Sequence, residues 1–158
     1  MGLAPREHGG RRSFTLVEIM VTVVIVGLLA AMAIPVAIRV QHRARDARYA
    51  SDIRTFAQAF ETYAMSTGAW PPDANRGIVP AGMSGEFRDQ EWTSRNSLGG
   101  LWDWDYRQNG ITAAISTVEV VVDDAEMQLI DAQIDDGNLA TGNFVKVGSN
   151  RYTYILQK

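Results

Sequence analysis

The sequence predicts an α+β fold in which a long N-terminal helix, transmembrane in its first half and amphipathic in its second, packs on a small antiparallel β-sheet. Three observations lead there. From Ile19 to Ile38 no residue is charged, and these 20 residues at a helical rise span ~30 Å, the depth of a bilayer's hydrocarbon core. Beyond Ile38 the helical pattern continues without a break, and Tyr49, Ile53, Phe56, Phe60 and Tyr63 recur at spacings of four and three to form one apolar stripe. The last third of the chain holds short alternating or β-branched runs separated by turn signals.

Taken in order, residues 1–13 are a hydrophilic leader with Gly9-Gly10 and the pair Arg11-Arg12 at the edge of the apolar run. By the positive-inside rule the leader stays cytoplasmic and the C-terminal bulk lies outside. The membrane segment covers residues 14–38, and residues 39–158 form the extracytoplasmic part. Gly27 and Pro35 interrupt the span, and Pro35 is expected to kink it or loosen its hydrogen-bond ladder. Arg39, Arg43, Arg45 and Arg48 follow. They suit anionic lipid head groups, but Asp46 and Asp52 dilute the charge, which favours a solvated face or ion pairs. Gly68 and Pro71-Pro72 stop the helix near Ser66, so that Phe14 to Ser66 makes one helix of about 53 residues, ~80 Å long.

Residues 67–100, rich in Gly, Pro, Asn and Ser, read as a surface connection with one weak strand at Glu86 to Trp92. Leu101 to Arg107 alternates, with Trp102, Trp104 and Tyr106 facing one way and Asp103 and Asp105 the other. Such an aromatic ladder is either a carbohydrate platform or the buried face of a sheet. The stripe from Tyr49 to Tyr63 needs a partner of this kind, which favours the buried face. Asn109-Gly110 signals a hairpin into Ile111 to Val122. Asp123-Asp124 offers an N-cap for a helix of about ten to twelve residues carrying Met127, Ile130 and Ile134, with Gly137 as its stop. Phe144 to Val147 and Arg151 to Leu156 form a closing hairpin around Gly148-Ser149-Asn150.

Composition narrows function. Removing the leader takes away three arginines and one glutamate and leaves 12 basic and 17 acidic residues, a balance that gives no support for nucleic-acid binding. The chain has no cysteine, so disulfides and thiolate metal sites are excluded. His8 lies in the leader and His42 on the helix beyond the span. No nucleophile–base set, phosphate loop, dinucleotide fingerprint or His-rich metal motif is present, and no enzymatic activity is expected.

One residue in the apolar region stands out. Glu18 sits just before the uncharged run, and a carboxylate in a membrane span is by default a functional group. The segment Ser13-Phe14-Thr15-Leu16-Val17-Glu18, after a basic leader and before an apolar helix, resembles the N-terminus of type IV pilins and type II secretion pseudopilins. The resemblance implies a pilin-like fold and cleavage by a prepilin peptidase between Ser13 and Phe14, with N-methylation of Phe14. It also implies assembly of the mature chains, through their N-terminal helices, into a homopolymeric or mixed filament. The family usually has Gly before the cut, where this chain has Ser13. Carried over, Glu18 is the family's glutamate. It either complements the Phe14 amine and the positive helix end of its own chain or pairs with the amine of a neighbour and sets axial register. The further partners implied are the bilayer before assembly and an inner-membrane assembly platform, with the filament in the periplasm or outside the cell. Thr67-Gly68-Ala69-Trp70-Pro71 also resembles the helix end of major pseudopilins.

Two further readings stay open. Arg11-Arg12-Ser13-Phe14 resembles a twin-arginine export signal, and Ala31-Met32-Ala33 is a signal-peptidase pattern that would start the mature chain at Ile34. That chain would be an exported or anchored binding domain using Trp102 and Trp104. Glu18 in the apolar stretch and a helical pattern running through Ala33 weigh against it. Separately, Asp131, Asp135, Asp136, Asn138 and Asn143 crowd around two glycines, a hard-oxygen set suited to calcium, which the resemblance to major pseudopilins also implies. The adjacent Asp135 and Asp136 do not follow EF-hand spacing, and caps and turns account for the same residues. No cofactor is required.

Overall fold

The computed structural model describes residues 14–108 and 110–158. The leader, with Ser13, and Asn109 of the hairpin lie outside the described residues. The elements in order are α1 (Leu16–Thr67), α2 (Asp89–Thr93), β1 (Leu101–Gln108), β2 (Ile111–Val118), α3 (Asp124–Ile134), β3 (Phe144–Gly148) and β4 (Arg151–Gln157). The chain divides into two compact units, up to Gln41 and from His42 onward.

In the first unit the described residues are almost entirely the first half of α1. Every residue from Phe14 to Gln41 is exposed except half-buried Ala30. Helix α1 contains a window of 18 residues with mean hydropathy 2.7, none of it buried, long and apolar enough to cross a membrane. A helix apolar all round with nothing covering it belongs in lipid or against other helices.

The second unit is built on the four-stranded sheet, ordered β1-β2-β4-β3 with every neighbouring pair antiparallel. This α+β, pilin-like arrangement is the one the sequence predicts. The stripe on α1 and the aromatic face of β1 meet as expected. Tyr49, Ile53, Phe56, Phe60, Trp102 and Trp104 are all buried to within 1%. Tyr49 stacks on Trp102 at 5.1 Å, Phe56 meets Trp102 edge-on at 5.2 Å, and Phe60 lies flat on Trp104 at 3.9 Å between ring centroids. The Tyr49 hydroxyl reaches Thr117 Oγ1 at 2.9 Å, and burial pushes its phenol pKa upward. With both tryptophans enclosed, neither forms a carbohydrate platform.

The connection before β1 corrects the sequence reading in two ways. The expected strand at Glu86 to Trp92 is instead the short helix α2, with Asp89 and Glu91 in its first turn, where carboxylates complement the helix dipole. Nor is the segment merely superficial, since Met83, Trp92 and Leu98 are fully buried. Trp92 packs against Phe56 and Phe60 at 5.0 and 5.4 Å and donates its indole N–H to the Ile78 carbonyl at 2.9 Å. Strand β2 also ends earlier than expected, at Val118. Glu119 takes a left-handed backbone (φ 62°), which breaks the extended run, and its carboxylate receives Arg76 at 2.6 Å and Arg95 at 3.5 Å.

The remaining elements follow their local signals. Gly110 (φ 79°) supplies the left-handed turn between β1 and β2. Asp123 caps α3 by accepting the Glu126 N–H at 2.9 Å, and α3 has 11 residues. On the sheet face away from α1, Asp103 and Asp105 converge on Arg151, which lies 2.9 Å from Asp103, and Ser116 bonds Asp105 and Thr153. Burial, reinforced by Asp105, raises the Asp103 pKa against the pull of Arg151. Both margins of the sheet are engaged. On the β1 side Gly77 N–H bonds the Trp102 carbonyl at 2.7 Å and Asp73 accepts the Tyr106 N–H at 2.9 Å. On the β3 side Lys146 N–H bonds the Leu139 carbonyl at 2.8 Å.

Candidate functional site

Phe14 and Thr15 precede α1, and Leu16 is its first helical residue. Thr15 is therefore the cap. Its carbonyl accepts from Glu18 N–H at 3.1 Å and Ile19 N–H at 3.3 Å, and its hydroxyl accepts from Glu18 N–H at 3.2 Å. Thr15 and Glu18 stand at the spacing of a capping box, a signal already present in the sequence. The helix start also changes the expected relation of Phe14 to Glu18. Because Phe14 lies one residue before the cap, regular helical geometry does not place it on the Glu18 face. Glu18 is exposed and makes no ion pair among the described residues. Phe14 is 73% exposed.

Gly27 and Pro35 lie inside α1, which is helical on both sides of each. Pro35 has no N–H to give to the Ala31 carbonyl, so one rung of the ladder is missing while the helix continues. A Cβ on Gly27 would meet nothing within 4 Å.

The acidic loop after α3 brings together three of its expected residues. Oxygens of Asp131, Asp135 and Asp136 lie within 4.8 Å of one another. Asp131 is fully buried and neither of its carboxylate oxygens has a hydrogen-bond partner. The Gly137 and Asn138 amides lie near enough to favour its charged form, but neither closes a hydrogen bond. Burial raises the Asp131 pKa, and Asp136 and Asp135 raise it further. Asp135 accepts the N–H groups of Asn143 and Phe144, the latter at 3.1 Å. Asp136 accepts Asn138 N–H at 2.8 Å and the Thr141 hydroxyl at 2.7 Å, bonds that lower its pKa. The Asn138 side chain accepts Ala140 N–H at 3.2 Å, and Asn143 enters through its backbone. Turn formation thus explains Asp135, Asp136, Asn138 and Asn143, but it leaves Asp131 unexplained. A buried carboxylate with two free acceptors beside two more carboxylates is a donor set that fits a hard cation.

Known proteins resemble the chain at its N-terminal end. Residues 9–34 match the model of the prokaryotic N-terminal methylation motif. Over 66 residues the chain is 40% identical to the type II secretion system core protein G of Pseudomonas aeruginosa, a match covering 42% of this chain and 44% of that relative. The chain thus spans less than half the length of the curated relative it matches. No solved structure matches it. Its N-terminal region thus carries a prokaryotic N-terminal methylation motif and is similar to that of a type II secretion core protein.

Proposed function

We propose that this chain is a structural, non-catalytic subunit of a type II secretion pseudopilus or a related pilus. It is inserted in the inner membrane with residues 39–158 outside, cut by a prepilin peptidase between Ser13 and Phe14, methylated at Phe14, and passed by an assembly platform into a filament built through α1. The observation that carries this reading is Glu18. It is a single carboxylate without an ion-pair partner among the described residues, on the capped first turn of an otherwise uncovered apolar helix. In an assembled bundle that charge is buried and needs a cation, and the new Phe14 amine of a neighbouring subunit supplies one. Because Phe14 precedes the cap, pairing between chains is favoured over pairing within one.

The mature N-terminus tests the reading. Mass spectrometry of the protein from its native membrane is expected to find a chain starting at N-methylated Phe14. A chain starting at Ile34 would overturn the reading in favour of a cleaved export signal.

The acidic loop supports a second role. We propose that Asp131, Asp135 and Asp136 hold calcium, which would neutralise the buried carboxylate and tie α3 to the start of β3. Calcium at a hundredfold excess over its dissociation constant stabilises a fold by about 2.7 kcal/mol. Millimolar calcium, compared with chelator, is expected to raise the unfolding temperature by several degrees, and Asp131→Asn is expected to remove the rise. An unchanged melting curve in calcium would exclude the site.

A further inference from the structure

A second buried carboxylate lies far from the acidic loop along α3. Asp46, on the first turn of α1 in the second unit, is only 6% exposed, and its Oδ1 has no hydrogen-bond partner. Arg45, which contacts both carboxylates, sets it beside Glu126 of α3, whose side chain is 18% exposed. Arg45 pairs with Glu126 through its terminal nitrogen but stands 3.8 Å from Asp46 through Nε, which is itself buried without a partner. His42 Nδ1 is 3.8 Å from Glu126. The loop at 94–100 brings Ser97, whose hydroxyl bonds the Arg45 carbonyl at 2.9 Å, while its Arg95 is turned to Gly99 and Glu119. The charged groups facing Asp46 are therefore Glu126 from α3 and Arg45 and His42 from α1. One arginine serves two carboxylates, and its bond goes to Glu126.

We propose that the Asp46–Glu126 carboxyl pair is a proton-held latch between α1 and α3, closed when one proton is shared and weakened when both groups are ionised. Chemically, a protonated Asp46 donates its O–H to the Glu126 carboxylate. Without that proton the two anions confront each other in a site that water barely reaches. The direction of the titration agrees with the geometry. Burial above all, then the hydrogen bond and charge of Glu126, raises Asp46 to about 6 against the opposing pull of Arg45 and His42. A group whose folded pKa lies above its unfolded value contributes stability that is fully present below the unfolded value and lost as pH rises through the folded one. The window here runs from about 4 to about 6, above the range in which Asp124 and Asp136, whose pKa values are lowered, lose their contributions.

The test is amide hydrogen exchange of the full chain in detergent micelles at pH 5 and pH 8, corrected for the intrinsic rate. Peptides from Asp124–Ile134 are compared with peptides from Ile111–Val118 in the same molecule. Wild-type α3 is expected to lose protection relative to β2 on going to pH 8. In Asp46→Asn, which keeps a donor toward Glu126 and cannot ionise, that relative loss is expected to disappear, leaving α3 up to roughly a hundredfold better protected than wild type at pH 8. Glu126→Gln is expected to flatten the profile in the same way. Identical pH dependence in wild type and Asp46→Asn, or an Asp46→Asn chain folded at pH 5 and less protected than wild type at pH 8, overturns the latch.

Discussion

Glu18→Ala is expected to yield a folded, membrane-inserted and processed protein that no longer enters filaments. The substitution leaves the Thr15 cap intact, since both capping bonds come from backbone N–H groups and the hydroxyl acceptor is on Thr15. It also makes the span more apolar, so insertion is not impaired. What it removes is the counter-charge for a neighbour's amine. In a helical bundle that amine would then be buried alone, and losing one partner of a buried pair weakens an association constant by roughly tenfold or more. The readout is the filament fraction sheared from cells against the total subunit in membranes, with Glu18→Asp and Glu18→Gln beside it. Filaments at wild-type yield in Glu18→Ala would show that charge pairing at this position is not what drives assembly.

Trp104→Ala is expected to destabilise the second unit by about 4 kcal/mol. The ring is fully buried, lies flat on Phe60 at 3.9 Å, and touches Trp70 at 5.7 Å. Its indole N–H also satisfies the Pro71 carbonyl at 3.1 Å, so truncation leaves both a cavity and an unpaired buried acceptor. Domains of this size are stable by only about 5–15 kcal/mol, so the loss removes between roughly a quarter and four fifths of the total. Denaturant unfolding of the full chain in detergent measures the effect. A loss below about 1 kcal/mol would mean that the site collapses around the cavity and that the α1–β1 aromatic layer is not the main support of the fold.

These two residues also show how unevenly the sequence displays its structure. Trp104 was legible because periodicity is a collective signal, with spacings of four and three on α1 and of two on β1, and two such faces define each other. Trp92, Met83 and Leu98 have no periodic neighbours. Each is delivered to the core by turns and by the short helix α2, so a segment that packs carries only the sequence signals of one that connects. Asp103 and Asp105 were assigned to the correct sheet face, yet their enclosure depends on Arg151, 46 positions beyond Asp105. The same holds for the acidic clusters. The sequence groups Asp131 with Asp135 and Asp136, whose oxygens lie within 4.8 Å of one another, but nothing local marks Asp131 as the buried member. In the sequence Asp46 only dilutes an arginine run, and Glu126 lies 80 residues away. Burial of a charge is a tertiary property, and one-dimensional patterns do not carry it.

The engaged margins of the sheet have a consequence for life at high local concentration. A chain confined to a membrane plane meets its own copies far more often than one free in solution, and an open strand edge there would template stacking without limit. In this chain the β1 margin is occupied by residues 73–77, and β3 is only five residues long with its Lys146 N–H already taken. Both routes to cross-strand growth are blocked within the monomer. On the proposed function, self-association would then run through the uncovered face of α1 rather than through strand edges.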